Sequence, residues 1–156
     1  MPLSIRRAVP ADAAIVVEFN RLLAQESEGK ALDSALLAAG VATGLADPRK
    51  SVYFVAEEDG FPVGQIMYTT EWSDWRNGWF WWIQSVYVRH EARRRGVFRA
   101  LFDHVLQAAR AEPEVIGLRL YVERENHAAR ETYQRLGMEA AGYVVFERYP
   151  LGAITP

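Results

Sequence analysis

A long apolar stretch over 80–88, Phe-Trp-Trp-Ile-Gln-Ser-Val-Tyr-Val, is followed within a few residues by an amphipathic stretch over 96–111, and then by a short apolar run over 118–122. Few folds accommodate that order. In the middle segment Val97, Leu101, Val105 and Ala108 recur at helical spacing, Phe98, Phe102 and Ala109 widen the stripe, and Pro113 closes it. Two strand-type runs joined by one helix predict a right-handed crossover, with the outer segments parallel in one sheet.

The remaining segments fit around that unit. Residues 3–7 read as a short strand ended by Pro10. Asp12 is placed to cap a helix over 12–27, with Ile15, Phe19, Leu22 and Leu23 at helical spacing and Gly29 as the break. A second helix is expected over 33–45, stopping before Asp47-Pro48. Residues 51–57 read as a buried strand, Glu58-Asp59-Gly60 carries hairpin chemistry, and 62–70 is the returning strand. After 118–122, a helix over 126–136 stops at Gly137, and 143–149 reads as a last strand before Pro150. The expectation is an α/β (α+β) domain over 1–156, with a mixed sheet of about six strands and four helices.

Cysteine is absent, which removes disulfides, thiolate metal sites and a Cys nucleophile. The histidines His90, His104 and His127 show no ligand spacing with nearby acids, so no metal is expected. Residues 1–7 lack the apolar core of a signal peptide and no run approaches membrane-spanning length, so a cytoplasmic protein with no membrane partner is expected. A net charge of -2 argues against a generally basic nucleic-acid binder. Charge is nevertheless uneven. Arg89, Arg93, Arg94, Arg95 and Arg99 face a single acid, Glu91, within 89–99, while Asp12, Glu18, Glu26, Glu28 and Asp33 mark an acidic early region. A basic spot on an acidic chain suits a compact anion.

That spot lies where the 80–88 strand enters the 96–111 helix. Helix-start amides have no internal partners and sit at the positive end of the dipole, and Gly96 lets the backbone approach closely. A Walker loop is excluded because no Gly-Lys-Ser/Thr follows, and a dinucleotide fingerprint because only Gly96 is present. An exposed turn of solvated arginines explains the turn equally well by itself. A second pattern follows: Asn126, Ala129 and Tyr133, at i, i+3 and i+7, share one helix face near the carboxyl edge of the sheet. Read alone, it is a capping Asn, a small packing residue and a core Tyr.

Together, Arg93-Arg94-Arg95-Gly96-Val97-Phe98 after one strand, and Asn126, Ala129, Tyr133 and Gly137-Met138 after the next, resemble the GNAT superfamily of acetyl-CoA-dependent N-acetyltransferases. Two positions depart from its pattern: Phe98 replaces a small residue, and Met138 an aromatic one. The resemblance implies a V-shaped splay between strands 80–88 and 118–122 that receives acetyl-CoA. It implies pyrophosphate on the loop opened by Arg93, at the amides of Arg94, Arg95, Gly96, Val97, Phe98 and Arg99. Main-chain groups of Val86 and Val88 then hold the pantetheine arm, and an N–H near Tyr87 or Val88 polarises the thioester carbonyl. Asn126 holds the pantetheine or nearby backbone, with Ala129 on its face, and Tyr133 is the general acid for the departing thiolate. The amine attacks directly in a ternary complex, and Ser85 is structural.

The base is less defined. No carboxylate lies on 80–85, so Glu71 is the nearest candidate, with Asp74 and Glu26 behind it and a water chain as the alternative. All five tryptophans fall within 72–82. Trp72 and Trp75 in a turn, with Glu26, Glu28, Glu71 and Asp74, suit a small cationic or aromatic amine, though packing or a homodimer surface also accounts for such aromatics. Two rival functions are a non-catalytic acyl-CoA-binding module and a small RNA-binding domain.

Overall fold

Five strands pair in chain order to form one sheet: β1 (Leu3–Arg7), β2 (Val52–Glu58), β3 (Phe61–Ser73), β4 (Gly78–Val88) and β5 (Val115–Leu120). The computed structural model describes residues 2–152. Neighbours are antiparallel except β4 and β5, which are parallel, as the crossover pattern requires. Three helices complete this unit, Met1–Tyr121: α1 (Ala13–Glu28), α2 (Ser34–Ala46) and α3 (Val97–Arg110).

Strand alternation sorts the core into two layers. On β2, Tyr53 and Val55 join Val16 of α1 and Val41 of α2 in one buried cluster. Phe54, between them, points the other way and meets His104 of α3 with ring centres 4.7 Å apart. The α3 stripe of Val97, Leu101, Phe102, Val105 and Ala109 is buried. Burial alternates on β4 as well: Trp81 is buried and stacks on Tyr68 at 3.8 Å, while Trp82 is only half-buried.

Helix ends follow their capping chemistry. The Asp33 carboxylate accepts from the Leu36 amide at the start of α2, and Gly29 ends α1 in the left-handed region at φ 61°. Asp12 does not cap α1. Its carboxylate receives both terminal nitrogens of Arg6 at 2.8 and 2.9 Å and the Val9 amide at 2.7 Å, while the same guanidinium also bonds Glu57 on β2. One arginine thereby ties β1, β2 and the entry to α1.

The second unit, Val122–Pro156, contains α4 (His127–Arg135). Gly137, at φ 89°, stops the chain beyond it, and the Met138 amide returns to the Tyr133 carbonyl. Residues 143–149, read from sequence as a strand, adopt no regular structure, so the described sheet has five strands. An apolar run states that a strand is suitable there, but only a partnered ladder makes one. β5 also begins earlier than 118, because parallel pairing starts at Trp79↔Val115 directly after the helix-ending Pro113.

The Arg6 hydrogen bonds hold the Asp12 carboxyl below its usual range. A depressed folded-state pKa adds stability above the unfolded value, and that stability disappears as pH falls through the folded one. Asp12→Asn is therefore expected to cost about 1 kcal/mol at pH 7, discounted because Arg6 is partly exposed. The deficit should shrink as pH falls through and below the ordinary aspartate range, read by urea unfolding at neutral and at acidic pH.

Candidate active site

β4 has a neighbour on each side for only part of its length. Its last β5 partner is Leu120, opposite Ile83, so Gln84–Val88 run on without a β5 ladder. A change of conformation marks the same place. Ser85 is left-handed, at φ 51°, and the β3 register jumps from Gln65↔Tyr87 to Met67↔Gln84. Ser85 and Val86 thus face the single residue Ile66, which is a β-bulge. The main chain of Val86 and Val88, expected from the resemblance to hold a ligand arm, lies in this free-edged segment.

Beyond Val88 the chain makes a short turn and enters α3. Arg94 and Gly96 are both left-handed, at φ 62° and φ 81°, and alternation of that kind curls successive amides around a concavity suited to an anion. The helical bond from the Ala100 amide closes on the Gly96 carbonyl, so the preceding amides lie outside the ladder. Phe98, the departure in this loop, sets its ring 6.3 Å from that of the buried Phe102. The side chain follows the helix flank and adds bulk there.

The arginines divide into two kinds. Arg93 donates Nε to the Val88 carbonyl and a terminal nitrogen to Glu26, at 2.9 and 2.7 Å. Arg95 pairs with Glu58 at 3.0 Å, and Arg99 with Asp103 one helical turn on. Arg94 has no side-chain hydrogen bond or ion pair among the described residues. The basic spot seen in sequence is largely a set of arginines held by nearby acids, with Arg94 left exposed.

Glu26, expected on the acceptor side, faces this turn. Besides Arg93 it accepts the Tyr87 hydroxyl at 2.5 Å. The two donors, Tyr87 first, lower the Glu26 carboxyl from its ordinary value, while burial and that bond push the Tyr87 phenol up to about 12. Tyr87 also packs on Phe19 at 5.4 Å. The end of α1 is thereby bound to the end of β4.

Glu71 lies on β3 opposite Phe80. Its Oε1 accepts from the Trp82 indole at 3.1 Å and from Arg119 at 2.7 Å. The Arg119 guanidinium stacks 3.7 Å over Phe80. Gly117 makes the stack possible, since a Cβ there would fall 2.8 Å from the Phe80 ring. Glu71, Arg119, Trp82 and Phe80 form one fixed polar-aromatic group on the sheet. Asp74 accepts the Trp75 amide and shapes the β3–β4 turn. Trp72 stands edge-on to Trp79 at 5.1 Å, and Trp75 is 85% exposed. Glu28 pairs loosely with Lys30 at 3.6 Å, away from the tryptophan turn in sequence and without a role in these contacts.

In the second unit, Asn126 caps α4 by accepting the Ala129 amide at 3.1 Å. Its side-chain oxygen therefore serves the helix, with Ala129 as its partner. Burial raises the Tyr133 phenol above its ordinary value, which keeps the hydroxyl protonated around neutrality.

The sequence model of the Acetyltransferase (GNAT) family matches residues 18–138. The chain belongs to this family. A possible acetyltransferase from Clostridium difficile 630 is 45% identical, covering 95% of this chain and 97% of its own, with a TM-score of 0.89. The fold also recurs in a ribosomal-protein-alanine N-acetyltransferase from Brucella melitensis biovar Abortus 2308, at 19% identity, 95% and 99% coverage and a TM-score of 0.77. It recurs again in a predicted acetyltransferase with acetyl-CoA from Clostridium acetobutylicum, at 18% identity, 94% and 96% coverage and a TM-score of 0.77. No curated protein matches the sequence. As a GNAT protein the chain is an acyltransferase, and the family's acyl donor is acetyl-CoA.

Two site features escaped the sequence reading. Arg119 was one basic residue in a short strand, and only the β4–β5 register puts it over Phe80. Gln65 gave a clearer signal, as a lone polar side chain within Val63-Gly64-Gln65-Ile66-Met67. If the GNAT turn grips phosphate as its geometry suggests, Arg94→Ala weakens coenzyme A binding about tenfold at low salt. In calorimetric titrations the gap should narrow in about 0.5 M NaCl.

Proposed function

We propose that this GNAT acyltransferase moves an acetyl group from acetyl-CoA to a primary amine of a small molecule, by direct attack in a ternary complex. The observation that carries the reading is the run of Gln84–Val88 past its last β5 partner, leading into the left-handed turn at Arg94 and Gly96. A free strand edge offers amides and carbonyls in the spacing that an amide-rich pantetheine arm can match as an added strand. The curled amides and Arg94 suit the diphosphate at its far end. Both features come from main-chain geometry, so Phe98 at the loop leaves the amides intact.

Transfer needs three further contributions. A β4 main-chain N–H near the bulge takes the charge that develops on the thioester oxygen. Tyr133 supplies a proton to the departing thiolate, a task suited to a phenol whose burial keeps it protonated. Glu71 is the carboxylate assigned to the amine's proton, with its Oε1 steadied by Trp82 and Arg119. Aromatic faces at Trp72, Trp75 and Trp82 and the carboxylates of Glu71 and Asp74 favour an acceptor that is cationic or aromatic.

The test is a panel of small amines with acetyl-CoA, read by release of free thiol. Cationic and aromatic amines are expected to lead, and tight acetyl-CoA binding with no thiol release from any amine would instead indicate an acyl-CoA-binding module. On a working amine, Tyr133→Phe should lower kcat at least tenfold with acetyl-CoA affinity within about twofold. Glu71→Gln keeps an acceptor for Trp82 and removes the charge. It should flatten the acidic limb of the pH–rate profile, and an unaltered profile removes Glu71 from the role.

A further inference from the structure

Gln65 is wholly buried, at 0% exposure. Its Nε2 donates to the Ser85 carbonyl at 3.0 Å, whereas its Oε1 has no hydrogen-bond partner. Leaving a buried amide oxygen unmet is costly, and holding Ser85 left-handed adds to that cost. Packing alone does not account for a carboxamide here, because Met or Leu fills similar volume without either cost. What the carboxamide does provide is a grip on one peptide group. On β2, the side chains of Asn20 and Ser85 lie near enough to the Tyr53 hydroxyl to offset part of the rise that burial gives its phenol. The bulge is gripped by the Gln65 carboxamide, with the Tyr53 hydroxyl close to the Ser85 side chain.

Peptide planarity turns that grip into a direction. The Ser85 carbonyl and the Val86 N–H belong to one trans peptide and point opposite ways. With the carbonyl drawn toward the Gln65 carboxamide, the Val86 N–H of the same peptide is turned the opposite way, away from that carboxamide.

We infer that Gln65 is a positioning residue, which acts through the Ser85 carbonyl to aim the Val86 N–H at the thioester oxygen in acyl transfer. The inference rests on the proposed function above and deepens it. It moves the charge-stabilising donor from the neighbourhood of Tyr87 or Val88 to Val86, and it assigns a task to a residue that touches neither substrate. Such a role acts on the transition state and spares ground-state binding, because the pantetheine contacts and the phosphate turn do not depend on the tilt of a single peptide.

Gln65→Met is the direct variant. It is expected to fold at least as stably as the wild type and to bind acetyl-CoA within about twofold. Its kcat should fall at least tenfold, a fraction of what losing a whole oxyanion donor costs. In amide NMR of the wild type, acetyl-CoA should move the Val86 N–H resonance more than coenzyme A does, and in Gln65→Met that difference should collapse. Tyr53→Phe deletes the hydroxyl that lies near the Ser85 side chain and should give the same split between kcat and affinity at about threefold. Undiminished kcat in either folded variant overturns the inference, as does a loss confined to acetyl-CoA affinity or a Val86 resonance indifferent to the acetyl group. A wild-type protein that binds no acetyl-CoA, or releases no thiol with any amine, defeats the proposed function itself.

Discussion

The hydrogen-bond accounting of β4 governs the rest of this molecule. A strand inside a sheet spends its amides and carbonyls on two neighbours, and it has nothing left for a ligand. β4 begins that way, between β3 and β5, and ends with β3 alone. The bulge at Ser85 falls just beyond Ile83, where the β5 ladder stops. Everything needed for a main-chain ligand site follows from this mismatch of partners. The polar groups are present and held rigid by β3, and on the other side they face no ladder.

The charged groups around that strand act chiefly as supports. Arg93 spans the Val88 carbonyl and Glu26, and Glu26 also takes the Tyr87 hydroxyl. This joins the end of α1, the end of β4 and the start of the turn through one carboxylate. Arg95 and Arg99 are likewise committed to Glu58 and Asp103. In the proposed function, recognition of a diphosphate is assigned to backbone amides and to Arg94, since amides in a fixed turn need no reorganisation when an anion arrives. On the other part of the sheet, Arg119 holds Glu71 while lying flat on Phe80. Such an arrangement holds a carboxylate still.

Much of this was legible before any coordinates. The strand–helix–strand order over 80–122 dictated the parallel pair, and the α3 stripe of Val97, Leu101, Phe102, Val105 and Ala109 appears as spaced. The Arg-Gly turn was legible because its chemistry is local, a glycine and a helix start. Contacts between distant segments were not. Nothing near Glu26 in sequence points to Tyr87 or Arg93, because that triad exists only once α1 crosses β4. The bulge was hidden for a different reason: Ser85 is not a residue type that signals a left-handed backbone, and the side chain that bonds its carbonyl, Gln65, lies a strand away. The expected strand over 143–149 failed on the same ground, since ladders are made between segments.

The account stands or falls on whether those β4 and turn amides are a ligand site. The direct measurement is an amide NMR titration of the intact protein with coenzyme A. Saturable shifts concentrated over 84–88 and 94–99, with slowed amide exchange at Val88, are the predicted result. Shifts scattered over the surface, or confined to the tryptophan turn with the β4 edge unmoved, would contradict it.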